Sequence, residues 1–531
     1  MIALTSNGVV EWALFASLLY ILGLASYRIS FHPLARYPGP ILAKVTNWYS
    51  AFHYWKGDMH LKFLEWHEKY GEVVRFGPNS ISMNSQSAMM DIYAVRANVR
   101  KADAYAVFSP SRHASNTISA TDKKIHAFKR RILTQVCSDK ALKGLEPRIL
   151  THISQFTDVL HHAHTNVAEP LETDGSWGPE LDMANYCDYL GFDIISGLCY
   201  GESFNMLESQ KLRHLPSVLS TISRRNATCF GQPLVFRAKL DHLFLASIST
   251  QIKGFSAWIR EKGKKRMQLG SDIDKVDCFE YMLKARDPKT GLGFSEKELW
   301  SESLMLIIAG SDTTAVALSA TFFYLLHHPA ILAQVCKEVR SAFSSEDEIR
   351  PGPQLSSCEY LHACLKESLR MAPPGASLAP RLVLKGGITS GSHHFPENTI
   401  IGTPIYTMHH NAAHYPDPYI YKPERWVVNP EKGWTEELVG SAEAAFCGFS
   451  IGPRSCVGKN MAWMELMVTF ARTLYLYDMR LGPSHIHGKL GCISRSGSPD
   501  TFDYRIKGWV TSGREGPVVQ FRPAPVTKEK N

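Results

Sequence analysis

The chain has 531 residues, 44% hydrophobic and 20% charged, with 58 Lys+Arg against 50 Asp+Glu and a net charge of +8. That balance is ordinary for a globular protein and excludes a disordered chain, a collagen-like repeat and a polytopic membrane protein. The basic surplus is too thin for a nucleic-acid binder. The 11 cysteines contain no C-x-x-C pair, so they form neither a disulfide scaffold nor a zinc site; most read as buried thiols in a reducing compartment.

From residue 9 to residue 29 the only charges are Glu11 and Arg28, and about 20 apolar residues suffice to span a bilayer. A buried core helix is the alternative reading. Arg28 and Arg36 follow the stretch and no Lys or Arg precedes it, which puts the C-terminal side in the cytosol. No basic n-region or small-residue cleavage site marks a cleaved signal. Residues 1–30 are therefore expected to form a membrane anchor, and 31–40, with Pro33, Pro38, Gly39 and Pro40, a stiff extended connector. Length alone suggests roughly three units of ~150 residues. No linker, repeat or low-complexity tract divides residues 41–531, so one large domain is expected there.

That body reads as helix-rich, with short strands near residues 73–76, 81–83, 382–383 and 399–403. Lys123, Lys124, Lys129, Arg130, Arg131 and Lys140 make a basic run, either a solvated helix face or a docking surface. His161, His162 and His164 read as a solvated helix end, because no partner cluster supports a metal. Asn226-Ala227-Thr228 is a glycosylation sequon by letters only on the cytosolic side.

One helix stands apart. Ser295 with Glu298 makes a capping box, and apolar periodicity runs to His328-Pro329. In its middle lies Ala309-Gly310-Ser311-Asp312-Thr313-Thr314. A mid-helix glycine costs about 1 kcal/mol against alanine, and Asp and Thr are also poor interior residues. A local rule broken among strong helix formers points to a functional irregularity. Farther on, Glu367 and Arg370 share one face of a helix capped near Ser356, and Pro423-Glu424-Arg425-Trp426 follows.

Near the C-terminus, Phe449-Ser450-Ile451-Gly452-Pro453-Arg454-Ser455-Cys456-Val457-Gly458 precedes an apolar helix. Cys456 is thus expected at a helix N-terminus, where free N–H groups stabilise a thiolate, and Gly452 and Gly458 let backbone approach a flat ligand. The overlapping G-x-S-x-G at 448–452 lacks the preceding strand and the spaced acid and histidine of a hydrolase elbow.

This last segment resembles the heme-binding signature F-x-x-G-x-R-x-C-x-G of the cytochrome P450 superfamily at every fixed position. Three more segments match in the family's order: Ala309 to Thr314 resembles its oxygen-activating motif, Glu367 and Arg370 its E-x-x-R pair, and Arg425 the partner of that pair. The resemblance implies that Cys456 is the axial thiolate of a heme iron, favouring O–O cleavage. It implies that Asp312 and Thr313 relay protons during oxygen activation, with Thr313 back-bonding to its own helix as the alternative. It further implies that Glu367, Arg370 and Arg425 are structural. Arg454 and Arg381 would hold the heme propionates. His126 and Arg130 match the family's W-x-x-x-R with histidine for tryptophan; a solvated face is the alternative there, because Arg131 leaves the register open.

The fold that follows is mainly α with small β-sheets (the cytochrome P450 fold) plus one N-terminal transmembrane helix. The implied activity is a membrane-anchored monooxygenase that inserts one atom of O2 into an apolar organic substrate. Phe449 and Gly458 would complete the binding of heme b (iron protoporphyrin IX). Electrons would come from NADPH through an NADPH-cytochrome P450 reductase, with cytochrome b5 as a further donor, because the chain carries no flavin or dinucleotide motif. The resemblance is to microsomal enzymes of filamentous fungi, and the 408–426 block to a subgroup with aromatic-acid hydroxylases and polyketide-tailoring enzymes. Endoplasmic-reticulum membrane, secondary metabolism or aromatic-compound oxidation, and a substrate lying between residues 305–309, 375–379 and 104–120 are the corresponding expectations. A heme-thiolate isomerase or dehydratase, or a non-catalytic heme-binding protein, are the other classes the motifs allow.

Overall fold

The computed structural model describes residues 6–109, 115–165, 177–241, 246–269, 277–488, 492–494 and 502–525. Part of the 104–120 stretch (110–114) and the side chains of His162 and His164 lie outside the described residues.

Helices dominate, and the helix Glu296–His327 runs through the middle of them. Its capping box is present: Ser295 Oγ accepts from Glu298 N, while Glu298 Oε2 accepts from Ser295 N at 3.0 Å. The periodicity from Leu299 to Leu326 buries nearly the whole circumference of its C-terminal half. Those residues join the largest apolar core, shared with the helices Asp139–Thr165, Met183–Tyr200, Glu359–Met371 and Lys459–Leu476.

Contrary to the expected irregularity, this helix continues unbroken through Gly310. The reason for the glycine is packing. A Cβ on Gly310 would stand 2.7 Å from Ile195 Cδ1, and one on Gly191 would stand 2.6 Å from Ser311 O. Two helices therefore cross here at backbone contact distance, and both glycines face the crossing.

All four expected strands enter one sheet, in the order Val73–Gly77, Ser80–Met83, Ile400–Gly402, Arg381–Val383, with Val99–Lys101 as an unanticipated fifth. Ser80–Met83 pairs with Ile400–Gly402 in parallel, and the other pairs are antiparallel. Across the last pair Lys101 stands opposite Arg381. A second, three-stranded sheet joins Leu181–Asp182, Val518–Pro523 and Tyr477–Leu481.

Two described helices are long and apolar enough to cross a membrane. Glu296–His327 is largely inside the protein, whereas the N-terminal span, Val10–Phe31, is wholly unburied. The connector after it is not extended as expected. Residues 33–36 form turns closed by Ala35 N→His32 O at 2.8 Å and Tyr37 N→Leu34 O at 3.2 Å, and Leu34 and Tyr37 are buried. Burial of these two side chains outweighs the preference of the prolines for a free spacer. Only Pro38-Gly39-Pro40 is extended, pinned by Arg75 N→Pro38 O at 2.7 Å.

Candidate active site

The loop ahead of the helix Lys459–Leu476 folds back on itself through Cys456 N→Phe449 O at 2.9 Å and Ser455 N→Gly452 O at 3.0 Å. Gly452 is required there, since it adopts φ +71° and a Cβ would lie 2.0 Å from Tyr93 O. A Cβ on Gly458, by contrast, would meet no protein atom within 4 Å. Cys456 lies two residues before Gly458, the N-cap of that helix. Burial raises its thiol pKa, while the Gly458 N–H, Arg130 and Lys459 pull it back toward the thiolate.

Cys456 opens onto a cavity of about 550 Å³. Phe449, Arg454 and Gly458 line it beside the cysteine, and Ala309, Gly310, Asp312 and Thr313 line it from the central helix. All three stretches expected around the substrate contribute: Met305 and Ile308, Gly375 and Leu378, Tyr105 and Phe108. The helix Leu215–Gly231 and residues 509–511 also line it, and nothing in their sequence signalled that.

One wall is cationic. Arg381, Arg454, Arg130 and His126 line it, joined by Lys101, which sequence reasoning missed. Lys101 sits in a three-residue strand whose partner lies far along the chain, so no local pattern marks it. The described residues give none of these five a salt bridge; their donors go to backbone instead. Lys101 Nζ donates to Ile118 O at 2.7 Å, Arg454 Nη1 to Ala120 O at 2.7 Å, Arg381 Nη1 to Ala379 O at 3.3 Å, and Arg130 to Ser455 O. Burial, then Arg381 and Arg454, pushes the Lys101 ammonium well below its usual range. Burial and Arg381 bring Arg454 down to about 10. Burial followed by the same cations holds His126 at about 3, so its ring is neutral and can offer an N–H rather than a charge.

Arg130 faces the cavity, whereas Arg131 turns away to Asp287. Nor is the basic run one solvated face, because Lys129 is 0% exposed and its Nζ lies 2.8 Å from Glu298 Oε1 and 3.5 Å from Glu302 Oε1. Glu302 is itself buried and accepts from Thr117 Oγ1 at 3.0 Å, and burial raises its carboxyl to about 7.

Thr313 Oγ1 donates to Ala309 O at 2.7 Å, the back-bonded arrangement. Asp312 is not free: it accepts from Thr511 Oγ1 and from Arg514 Nη1 at 3.2 Å, and Arg514 also holds Asp188. Away from the cavity, Glu367 accepts from Arg370 at 2.8 and 2.9 Å, from Arg425 Nε at 2.9 Å and from Trp426 Nε1 at 3.0 Å. The helix carrying Glu367 has its N-cap at Cys358, two residues past Ser356, with Glu338 accepting from Tyr360 N at 2.9 Å and Leu361 N at 2.8 Å.

The comparisons with known proteins agree with this arrangement. The family model described as Cytochrome P450 matches residues 38–488. A cytochrome P450 monooxygenase of Penicillium oxalicum, poxM, is 36% identical over 98% of this chain and 96% of its own. Another of Gibberella fujikuroi, apf7, is 36% identical over 94% and 95%, respectively. A crystal structure of the cytochrome P450DA heme domain superposes with a TM-score of 0.68 at 17% identity, covering 89% of this chain and 95% of that one. The chain belongs to the cytochrome P450 family and is an oxidoreductase of the monooxygenase type. The family and fold imply a heme cofactor, a redox partner and an organic substrate.

The cavity fits that cofactor. A thiol on one side and a cluster of buried and half-buried cations with no salt bridge among the described residues on another suit an iron porphyrin with two propionates. The open space at Gly458 leaves room for its edge.

Proposed function

We propose that the protein is a membrane-anchored heme-thiolate monooxygenase, with Cys456 holding the iron of heme b and Lys101, Arg130, Arg381, Arg454 and neutral His126 binding the propionates. Phe449 and Gly458 would border the ring. When bound, the heme supplies dioxygen activation and the transfer of one oxygen atom to an apolar substrate.

The chain's own groups prepare that chemistry. Arg130, Lys459 and the Gly458 N–H favour the thiolate against burial. The Thr313 hydroxyl donates to Ala309 O, which leaves its lone pairs to accept a proton and, by rotation, to hand one on. The Asp312 carboxylate, held by Thr511 and Arg514, would take a proton from solvent and pass it on toward Thr313. The largely apolar wall excludes water and seats the substrate.

NADPH-cytochrome P450 reductase, with cytochrome b5 as a further donor, is the proposed electron source. The exposed Lys123, Lys124 and Lys140 offer the complementary charge. With the span Val10–Phe31 seated in the endoplasmic-reticulum membrane, the body would face the cytosol. Similarity to fungal enzymes over nearly the full chain supports a place in secondary metabolism.

The observation that carries this reading is Cys456 opening onto a cavity whose wall carries Lys101, Arg130, Arg381 and Arg454 with no salt bridge among the described residues. Reduced protein with carbon monoxide should show the red-shifted Soret band of a thiolate-ligated heme, and Cys456→Ala should lose it. A normal band in that variant would sink the assignment.

A further inference from the structure

This inference deepens the reading of the cavity as the substrate site and rests on it. The roof helix Leu215–Gly231 gives Leu219, Ile222, Ser223, Asn226 and Phe230 to the cavity. Their spacing of mostly three and four residues places them on one face. Phe230 meets Tyr105 at 4.9 Å and Phe108 at 5.5 Å between ring centroids, making an aromatic wall one turn from Asn226.

Two neighbouring polar groups on the lining are already engaged. Ser223 Oγ lies 3.1 Å from Thr511 Oγ1, and Asn116 Nδ2 donates to Phe108 O at 2.9 Å. Asn226 differs. It is only 6% exposed, and its Oδ1 accepts from Arg225 Nη1 at 2.8 Å. That bond fixes which way the amide faces and leaves Nδ2 without an acceptor among the described residues. An amide donor with no protein acceptor on a cavity wall is available to an acceptor placed in that cavity.

The charge beside it is already balanced. Arg225 Nε donates to Asp241 Oδ2 at 3.1 Å, and Asp241 Oδ1 is buried with no hydrogen-bond partner among the described residues. An incoming carboxylate would meet that carboxylate behind the guanidinium, whereas a neutral oxygen would meet only a donor.

We propose that Asn226 Nδ2 anchors the substrate, and that the substrate is an apolar, aromatic or unsaturated molecule bearing a neutral hydrogen-bond acceptor such as a ketone, ester or amide oxygen. The buried sequon asparagine thereby has a role that its letters concealed.

The test uses full-length heme-loaded protein and three probes of matched shape: 6-phenyl-2-hexanone, hexylbenzene and 6-phenylhexanoate. Binding is read from the shift of the heme absorption band. The ketone should bind roughly threefold to tenfold tighter than hexylbenzene, as one net hydrogen bond gives, and the carboxylate weakest. Asn226→Leu should make the ketone and hydrocarbon equal. If that variant fails to fold, Asn226→Asp removes the donors at almost unchanged volume and should do the same. Equal affinities in the wild-type protein, a ketone preference that survives both variants, or tightest binding of the carboxylate would overturn the anchor. Absence of the thiolate–heme band in the wild-type protein would instead overturn the underlying reading.

Discussion

Lys101 and Arg381 are buried side by side across two paired strands, where like charges repel. Arg454 adds to the repulsion on Lys101, and Glu302 offsets a smaller part of it. The propionates of a bound heme would relieve that repulsion, which gives Lys101→Met effects of opposite sign. The heme-free protein should gain about 1 kcal/mol or more in denaturant unfolding, because a buried unpaired charge is removed. The loaded protein should release heme to a scavenger apoprotein faster than wild type. Lys101→Arg, which keeps the charge, should show neither effect.

At the scale of elements, the crossing of Met183–Tyr200 over Glu296–His327 supplies a discriminating pair of substitutions. Helix propensity alone favours alanine at both Gly191 and Gly310 by about 1 kcal/mol. Packing opposes it. At Gly191 the added methyl meets the rigid backbone at Ser311, and at Gly310 it meets the movable end of Ile195. Gly191→Ala should therefore destabilise by about 1–3 kcal/mol, and Gly310→Ala by less, as read by thermal unfolding of the loaded protein. Stabilisation by both would refute the packing account.

The same crossing shows what the sequence could and could not reveal. The ends of the central helix were legible because the Ser295–Glu298 box and Pro329 are local signals, and four strands were legible from apolar runs beside turn residues. Gly310 was legible as an anomaly but not in its cause, since Ile195 lies more than a hundred positions away in sequence. Cys456 and Arg454 belong to one contiguous motif, whereas Lys101 and Asn226 acquire their surroundings only through long-range packing. The proline-rich connector misled because the fixed φ of proline suits turns as well as extended chain.

For the whole molecule, Glu302 sets a pH dependence. Its carboxyl pKa is about 7 in the fold against 4.5 as a free side chain, so the folded state holds the proton more tightly. This contribution is fully present below about pH 4.5 and is lost as pH rises through about 7, worth up to about 3 kcal/mol. Glu302→Gln, which cannot ionise, should flatten the fall in stability between pH 5 and 8 measured by denaturant midpoints. An unchanged slope would assign that fall to other groups. Deleting residues 1–30 should move the protein from the membrane pellet to the supernatant while leaving the carbon-monoxide band intact.

The docked connector has a mechanical consequence. Arg75 Nη1 donates to Arg28 O at 2.7 Å, Arg28 Nη1 donates to Val45 O at 2.6 Å, and Gly39 lies so close to Arg75 that a Cβ would stand 2.1 Å from its carbonyl oxygen. The apolar helix thus leaves the body as a stepped mast rather than a tether. With the mast in a bilayer, as proposed, its angle to the body would set the body's tilt, and the side carrying exposed Ile41, Leu42, Trp48 and Phe52 would hold one heading relative to the membrane. Inserting a flexible glycine-serine stretch at position 32 would give the body freedom to swivel without changing a single residue of the cavity.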